Sequence, residues 1–186
     1  MEKSNADHAH IVIRQAAVED AGAILDIYNH AILNTTAVYS YEPHTIAMRL
    51  DWLEDKNRSN IPVFVADVDG KVAGFATYGP FRAWAAYQYT IEHSVYVHAD
   101  YRRQGIAKKL LMQLIEAVKQ KPVHTIIAGI DADNEASLQL HQQLGFIQIG
   151  TFKQVGYKFN RWLDLKFMQL ILDNDPQSCK NESQMG

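Results

Sequence analysis

Apolar positions along the chain change period repeatedly, and the changes mark out alternating strands and helices. Ile11-Val12-Ile13-Arg14 is a short β-branched run that reads as a first strand. From Val18 to Leu33 the apolar residues Ala21, Ile24, Leu25, Tyr28 and Ile32 recur at helical spacing. Residues 34–43 break that period and predict an irregular, aromatic loop. A second helix is expected over about residues 45–56, with Met48, Trp52 and Leu53 on one face. Between Pro62 and Tyr78 two apolar runs flank Asp69-Gly70, a pair suited to the positive φ angles of a tight type I′ turn, so a hairpin is predicted. A strand over roughly 87–97 leads into a helix whose apolar stripe is Ile106, Leu110, Leu111, Leu114, Ile115 and Val118. Pro122 ends that helix, and residues 124–130 read as a buried strand. Asp133 or Asn134 can cap a short helix through Leu144, which Gly145 terminates. Phe146 to Gly150 and Trp162 to Leu172 read as the last two strands.

This order, β-α-α-β-β-β-α-β-α-β-β, implies an α/β fold with a mixed sheet and helices on both faces. A chain of 186 residues is long enough for one domain that buries about two-thirds of its unfolded surface. Residues 1–10 read as a flexible N-terminus and 173–186 as a polar tail, so the domain is expected over 11–172.

Composition narrows the classes of partner. The net charge of −3 gives no footprint for nucleic acid. The single cysteine, Cys179, excludes a disulfide framework or a cysteine-based metal site. His8 and His10, in a polar terminus, read as solvated rather than metal-binding, and no metal is expected. No apolar stretch approaches the length of a membrane span, so a cytoplasmic protein with no membrane partner is the expectation.

The chemistry concentrates in residues 95–111. Val95-Tyr96-Val97 stops at a polar break, and a basic, glycine-containing turn from Arg102 to Ala107 runs straight into the amphipathic helix. A strand that feeds a tight turn into a helix N-terminus leaves backbone N–H groups unpaired at the positive end of the helix dipole, a setting for phosphate. The spacing Arg102-x-x-Gly105-x-Ala107 is neither the Walker pattern of nucleotide triphosphatases nor the Gly-x-Gly-x-x-Gly of dinucleotide enzymes. A glycine turn alone also reads as a plain strand-to-helix connection. The strand before it, the helix after it and the segment Asn134-Glu-Ala-Ser137 through Gly145-Phe146 strengthen the ligand reading.

Together the two segments resemble the GCN5-related N-acetyltransferase superfamily. Within it the chain is similar to the phosphinothricin and methionine-sulfone N-acetyltransferases. Tyr28-Asn-His-Ala31, Gly79-Pro-Phe-Arg82, Thr90-Ile-Glu-His-Ser-Val-Tyr-Val97, Leu140-His-Gln-Gln-Leu-Gly-Phe146, Gln154-Val-Gly-Tyr-Lys-Phe159 and Arg161-Trp-Leu-Asp-Leu165 carry this likeness. The sulfone and sulfoximine branch looks nearer than the antibiotic-resistance branch. The resemblance implies a single-domain, mostly antiparallel sheet of about seven strands, with acetyl-CoA as cosubstrate and a homodimeric assembly. It implies that Val95, Tyr96, Val97, Arg102, Arg103, Gln104, Gly105, Ile106, Ala107, Lys108 and Asn134 hold the cofactor. Arg82, Ala83, Trp84, Glu92, His93 and Ser94 would line the substrate, and Lys153, Tyr157 and Lys158 fall where family dimers approach the partner's site. Those last three read equally as a solvated hairpin.

The reaction needs a neutral amine, and an α-amine with a pKa near ~8 is mostly protonated at neutral pH. Glu92 is the candidate base. In an apolar strand a carboxylate is either ion-paired or functional, and the resemblance favours function. His93, among Ile91, Val95 and Val97, reads as a hydrogen-bonded core residue that can also line the pocket. His141 stands where many members of the superfamily place a tyrosine, and it reads either as an acid for the leaving thiolate or as a helix histidine. Arg82 supplies a planar donor suited to a carboxylate, sulfone or phosphinate.

The function expected is acetylation of the α-amino group of a small amino acid or analogue such as methionine sulfone, methionine sulfoximine or phosphinothricin. Two rivals stand beside it: a peptide or protein N-terminal acetyltransferase, and a non-catalytic acyl-CoA-binding module. Aromatic loops at 34–43 and 79–89 favour a closed small-molecule pocket over an open groove.

Overall fold

The computed structural model describes residues 10–173; the expectations for His8, Cys179 and the polar ends at 1–9 and 174–186 lie outside the described residues. Its elements are β1 (Ile11–Gln15), α1 (Ala21–Asn34), α2 (Ile46–Arg58), β2 (Phe64–Val68), β3 (Lys71–Pro80), β4 (Thr90–Val97), α3 (Ile106–Lys119), β5 (Thr125–Asp131), α4 (Glu135–Gln143), β6 (Ile147–Lys158) and β7 (Arg161–Ile171). The strands form one seven-stranded sheet in the order β1-β2-β3-β4-β5-β7-β6. Every neighbouring pair is antiparallel except β4–β5, which is parallel. The expected α/β architecture is the observed one.

Strand alternation sends side chains to two cores. Ala66, Ala76 and Ile126 meet the α3 stripe of Ile106, Leu110, Leu114 and Val118 on one face. Val65 and Phe75 meet Ile24 and Ile27 of α1 on the other. The hairpin turn behaves as its residues require, with Asp69 and Gly70 at φ of 51° and 82° and the Asp67 carboxylate accepting the Gly70 N–H.

Three expectations need correction. In α2 the buried position is Arg49, at 2% exposure, whereas Met48 is 47% exposed. The strand expected from residue 87 begins at Thr90, because Ala85–Tyr87 forms a 3₁₀ turn. The strand expected to stop at Gly150 runs to Lys158, bending at two irregularities in its pairing with β7. Phe159 and Asn160 close that hairpin at φ of 51° and 57°, a positive-φ pair without the glycine that usually signals it.

The sheet is joined incompletely at its centre. β4 and β5 pair only over Thr90–Thr125, Ile91–Ile126 and Glu92–Ile127, although β4 continues to Val97 and β5 to Asp131. The two strands part after Glu92 and leave a cleft through the sheet.

The loop after α1 is fixed beside this cleft by Lys158. Its ammonium donates to the carbonyls of Ile32, Thr35 and Val38 at 2.5, 2.8 and 2.7 Å. Lys158 is therefore a buried link within the chain, not part of a solvated hairpin. The Tyr39 ring lies against Gly156, where an added Cβ would come within 2.5 Å of it. Tyr41 donates its hydroxyl to the Tyr157 carbonyl.

Replacing Lys158 by Met strands three carbonyls in a buried position, so we expect a loss of about 2–5 kcal/mol in urea unfolding. Lys153 pairs with Asp164 on the surface, and Lys153→Met is expected to cost no more than about 1 kcal/mol. Equal losses for the two variants would contradict the assignment of Lys158.

Candidate active site

The parted strands leave backbone donors facing open space. His98 donates its N–H to Ala73 and Phe81 donates to Thr90, so the even-numbered residues of β4 exchange bonds with β3. Alternation turns the N–H groups of Val95 and Val97 the other way, toward β5. Beyond Glu92 they meet no strand. A cavity of about 280 Å³ lies there, lined among others by Thr36, Tyr39, Glu92, His93, Val95, Gly129, Asp131, Asn134 and His141. It continues into a space of about 500 Å³ that reaches Val97, Arg102, Asn134 and Arg161.

At the far end of this channel stands the basic turn. Arg103 and Gly105 adopt φ of 63° and 76°, which folds the chain back on itself and starts α3. An added Cβ at Gly105 would meet nothing within 4 Å, so the glycine serves the positive φ and leaves the turn uncovered. Among the described residues, no acceptor takes the N–H groups of Gln104, Gly105, Ile106, Ala107 and Lys108. These amides, with exposed Arg102, Arg103 and Lys108, suit a pyrophosphate. Asn134 resolves the capping question: its side chain accepts the Ser137 N–H, while Asp133 pairs with Arg161 at 2.7 Å.

Glu92 sits where the channel meets a second chamber. That chamber, about 310 Å³, lies between β3, β4, α1 and α2 and includes Tyr28, Arg49, Trp52, Lys56 and Tyr78. Glu92, Ser94 and Tyr96 border both spaces. Burial raises the Glu92 pKa above the ordinary carboxylate range, and the nearby Arg82 charge partly opposes it. No ion pair holds the carboxylate among the described residues. Gly129 makes room for it, since a Cβ there would lie 2.9 Å from Glu92 Oε1.

On the opposite face of β4, His93 meets His141 of α4 with Nε2 atoms 3.0 Å apart and rings stacked. His141 Nδ1 lies 2.6 Å from the Ser137 carbonyl, which only accepts, so this nitrogen carries a proton. In the neutral ring His141 Nε2 is then the acceptor, and His93 Nε2 must donate. That leaves His93 Nδ1 an acceptor, and it is buried without a partner. Burial, together with the neighbouring ring, pushes the His93 pKa down to about 3, and burial also lowers that of His141. The geometry suits two neutral imidazoles, and burial disfavours an imidazolium at His141.

The loop expected to line the substrate is less assembled, and Arg82, Ala83 and Trp84 line neither cavity. Arg82 covers the Phe81 ring and bonds the Phe81 carbonyl, with its charge felt at Glu92. Ala83 is exposed and Trp84 is 71% exposed, outside both cavities. Sequence reasoning missed several lining residues. Arg49 and Lys56 share an α2 face with Trp52, and a cation on an apolar stripe was the available signal. Asp131, buried with Oδ2 unpartnered, and Thr36 of the loop gave no local signal at all.

A channel of free amides that runs from an anion-binding turn to an unpaired carboxylate defines a transferase for groups carried on a nucleotide-linked arm. Residues 24–146 match the acetyltransferase (GNAT) family model, and the chain belongs to this family. It is 46% identical over 162 residues to the L-methionine sulfoximine/L-methionine sulfone acetyltransferase of Pseudomonas aeruginosa, covering 87% of this chain and 94% of that one. Identity to the phosphinothricin N-acetyltransferase of Streptomyces viridochromogenes is 35%, over 86% of each chain, so the sulfone branch is the nearer of these two. A Salmonella typhimurium acetyltransferase solved with its cofactor acetyl-CoA superposes with a TM-score of 0.87 at 42% identity, covering 89% and 95% of the chains. A ribosomal-protein-alanine N-acetyltransferase from Brucella melitensis gives 0.85 at 48% identity, covering 87% and 99%.

Nitrogen-15 spectra of the imidazoles check the paired histidines: at pH 7 we expect the Nδ1–H form for His141 and the Nε2–H form for His93. Because both folded pKa values lie below the unfolded ~6.5, the unfolded chain takes up protons first as pH falls. Stability from this pair should be complete above that value and decline below it. A charged His141 at pH 7 would refute the assignment.

Proposed function

We propose that the protein transfers the acetyl group of acetyl-CoA to the α-amino group of a small amino acid whose side chain ends in a polar tetrahedral group. Methionine sulfone, methionine sulfoximine and phosphinothricin are the named examples, taken from the relatives. The observation that carries this reading is the position of Glu92 at the junction of the amide-lined channel and the aromatic chamber. One space suits the donor's arm, the other a small acceptor, and the carboxylate stands between them.

In this reading the turn from Arg102 to Lys108 holds the pyrophosphate, and Asn134 and the free strand amides hold the pantetheine arm. The Val95 and Val97 N–H groups polarise the thioester carbonyl. Acetyl-CoA supplies an activated acyl group. Glu92 accepts a proton from the substrate ammonium, directly or through one water, and so frees the nitrogen lone pair. The new C–N bond forms as the C–S bond breaks, the thiol's pKa near ~8.5 lets sulfur depart as thiolate, and the second proton of the acylated nitrogen passes to that sulfur or to water. His141 works in its neutral form, holding His93 in place under the site. Arg82 receives the α-carboxylate beside Glu92.

The assembly in this reading is a cytoplasmic homodimer. Ile147, Ile149, Phe152 and Trp162 expose apolar surface on the edge hairpin β6–β7, which supports a second copy covering it. Among the described residues no helix is long and apolar enough to cross a membrane. The Brucella relative's activity favours a second reading, acetylation of protein N-termini. Rates on methionine sulfone and on a short alanine-terminated peptide separate the two. A module that only binds acyl-CoA would have no use for the unpaired Glu92.

Glu92→Gln is expected to lower kcat by about 10²–10⁴ with the KM for acetyl-CoA unchanged. In the parent, kcat/KM should fall with decreasing pH as Glu92, its pKa raised, takes up a proton, and this limb should vanish in the variant. The burial that raises this pKa also disfavours the charged form, so the variant should melt no lower than the parent at neutral pH. Full activity of a folded Glu92→Gln protein would remove Glu92 from the reaction.

A further inference from the structure

Arg49 is a buried cation without an anion. Its guanidinium carbon lies 4.3 Å from the Tyr28 ring centroid and 4.5 Å from that of Trp52, over the face of each ring. Nη2 donates to His44 Nδ1 at 3.3 Å, and Nε is buried with no partner. Among the described residues no carboxylate lies within ion-pair distance of it. A guanidinium stays charged in any protein setting, so burial cannot be relieved by losing the proton. Contrast Lys158, equally buried, whose ammonium is satisfied by three carbonyls. Arg49 is held in place by its neighbours but not satisfied by them.

The chamber it borders is the one that Glu92 opens into, and Lys56 adds a second cation there, half-buried against the Tyr78 carbonyl. An amino acid entering with its amine at Glu92 keeps its carboxylate one carbon away, within the influence of Arg82. Its side chain is the part that can extend toward Tyr28, Trp52 and Arg49. We infer that Arg49 is the specificity-determining residue for that side chain, donating a guanidinium N–H on its chamber side to an oxygen of a sulfone, sulfoximine or phosphinate head. The aromatic faces hold the fork without a counterion, so an oxygen acceptor arrives at a donor that has no competing partner. A thioether of the same length offers no comparable acceptor and leaves the donor unsatisfied. This inference rests on the amino-acid reading of the site and adds the residue that selects among amino acids.

The test compares kcat/KM for methionine sulfone with that for methionine in the parent, Arg49→Met and Arg49→Lys. The sulfone-to-methionine ratio should fall about 10- to 100-fold in Arg49→Met, with the KM for acetyl-CoA unchanged as the sign of an intact fold. Lysine keeps the charge but loses the planar fork, so Arg49→Lys should recover only part of the ratio. If the methionine variant does not fold, the lysine variant decides, and a ratio equal to the parent's overturns the inference. It is also overturned if both substrates lose activity together while the decarboxylated sulfone amine is unaffected, because Arg49 would then read the carboxylate. A parent enzyme that acetylates no amino acid would instead overturn the function proposed for the site, a result seen before any variant is made.

Discussion

Three residue pairs join β4 to β5, and after Glu92 and Ile127 nothing joins them. Everything functional in this molecule depends on that parting. A backbone N–H group inside a sheet is ordinarily committed to its neighbour strand, and an uncommitted one in a recess must find another acceptor. Val95 and Val97 present such groups to a channel that the chain itself cannot fill. The strand that loses its neighbour also delivers Glu92 at the last paired position, where pairing still fixes the backbone. Rigidity and openness therefore meet within one residue of each other.

The distribution of buried charge follows from the same opening. Lys158, Arg49 and Glu92 are all drawn out of water, and each answers the desolvation differently. Lys158 finds three carbonyls and becomes a structural pin for the loop that carries Thr36 and Tyr39 to the channel wall. Glu92 finds no fixed partner, and its pKa rises toward the range where a base is useful. Arg49 cannot change its charge and instead lies over two aromatic rings. A fold selected for stability alone would replace the last two with apolar groups of similar volume. In the proposed reading, a substrate that comes and goes completes them.

Much of the architecture was legible because it rests on local rules. The α3 stripe, the Asp69-Gly70 turn, the Gly145 stop and the glycine turn before α3 are set by neighbours close in sequence. Glu92 was legible for a different reason: a carboxylate in an apolar strand violates a strong regularity, and violations mark sites. What escaped was either non-local or disguised. The length of β6 depends on pairing with β7 and on a Phe159-Asn160 turn that carries no glycine. Lys158 looks like any hairpin lysine until the C-terminus of α1 is brought beside it. Arg49 broke the same regularity as Glu92, yet Met48 offered an apolar alternative on the adjacent face and drew the assignment away. Asp131 and Thr36 belong to the channel only because two distant segments fold against it.

The histidine pair shows why one polar contact constrains the chemistry more than the identity of a residue does. A histidine at position 141 is chemically competent to donate a proton to a leaving thiolate, and its place in α4 invites that role. Yet the Ser137 carbonyl takes one of its nitrogens and His93 the other, in a setting that opposes charge. To act as an acid, the ring would need a second proton on the nitrogen that already accepts from His93, which would turn both facing nitrogens into donors 3.0 Å apart. One of them would have to release its proton or the contact would break. A thiolate leaves a thioester with little assistance, whereas an ammonium cannot attack at all until it loses a proton. The demanding proton transfer is thus on the amine side, and it is on that side of β4, facing the second chamber, that the unpaired carboxylate stands.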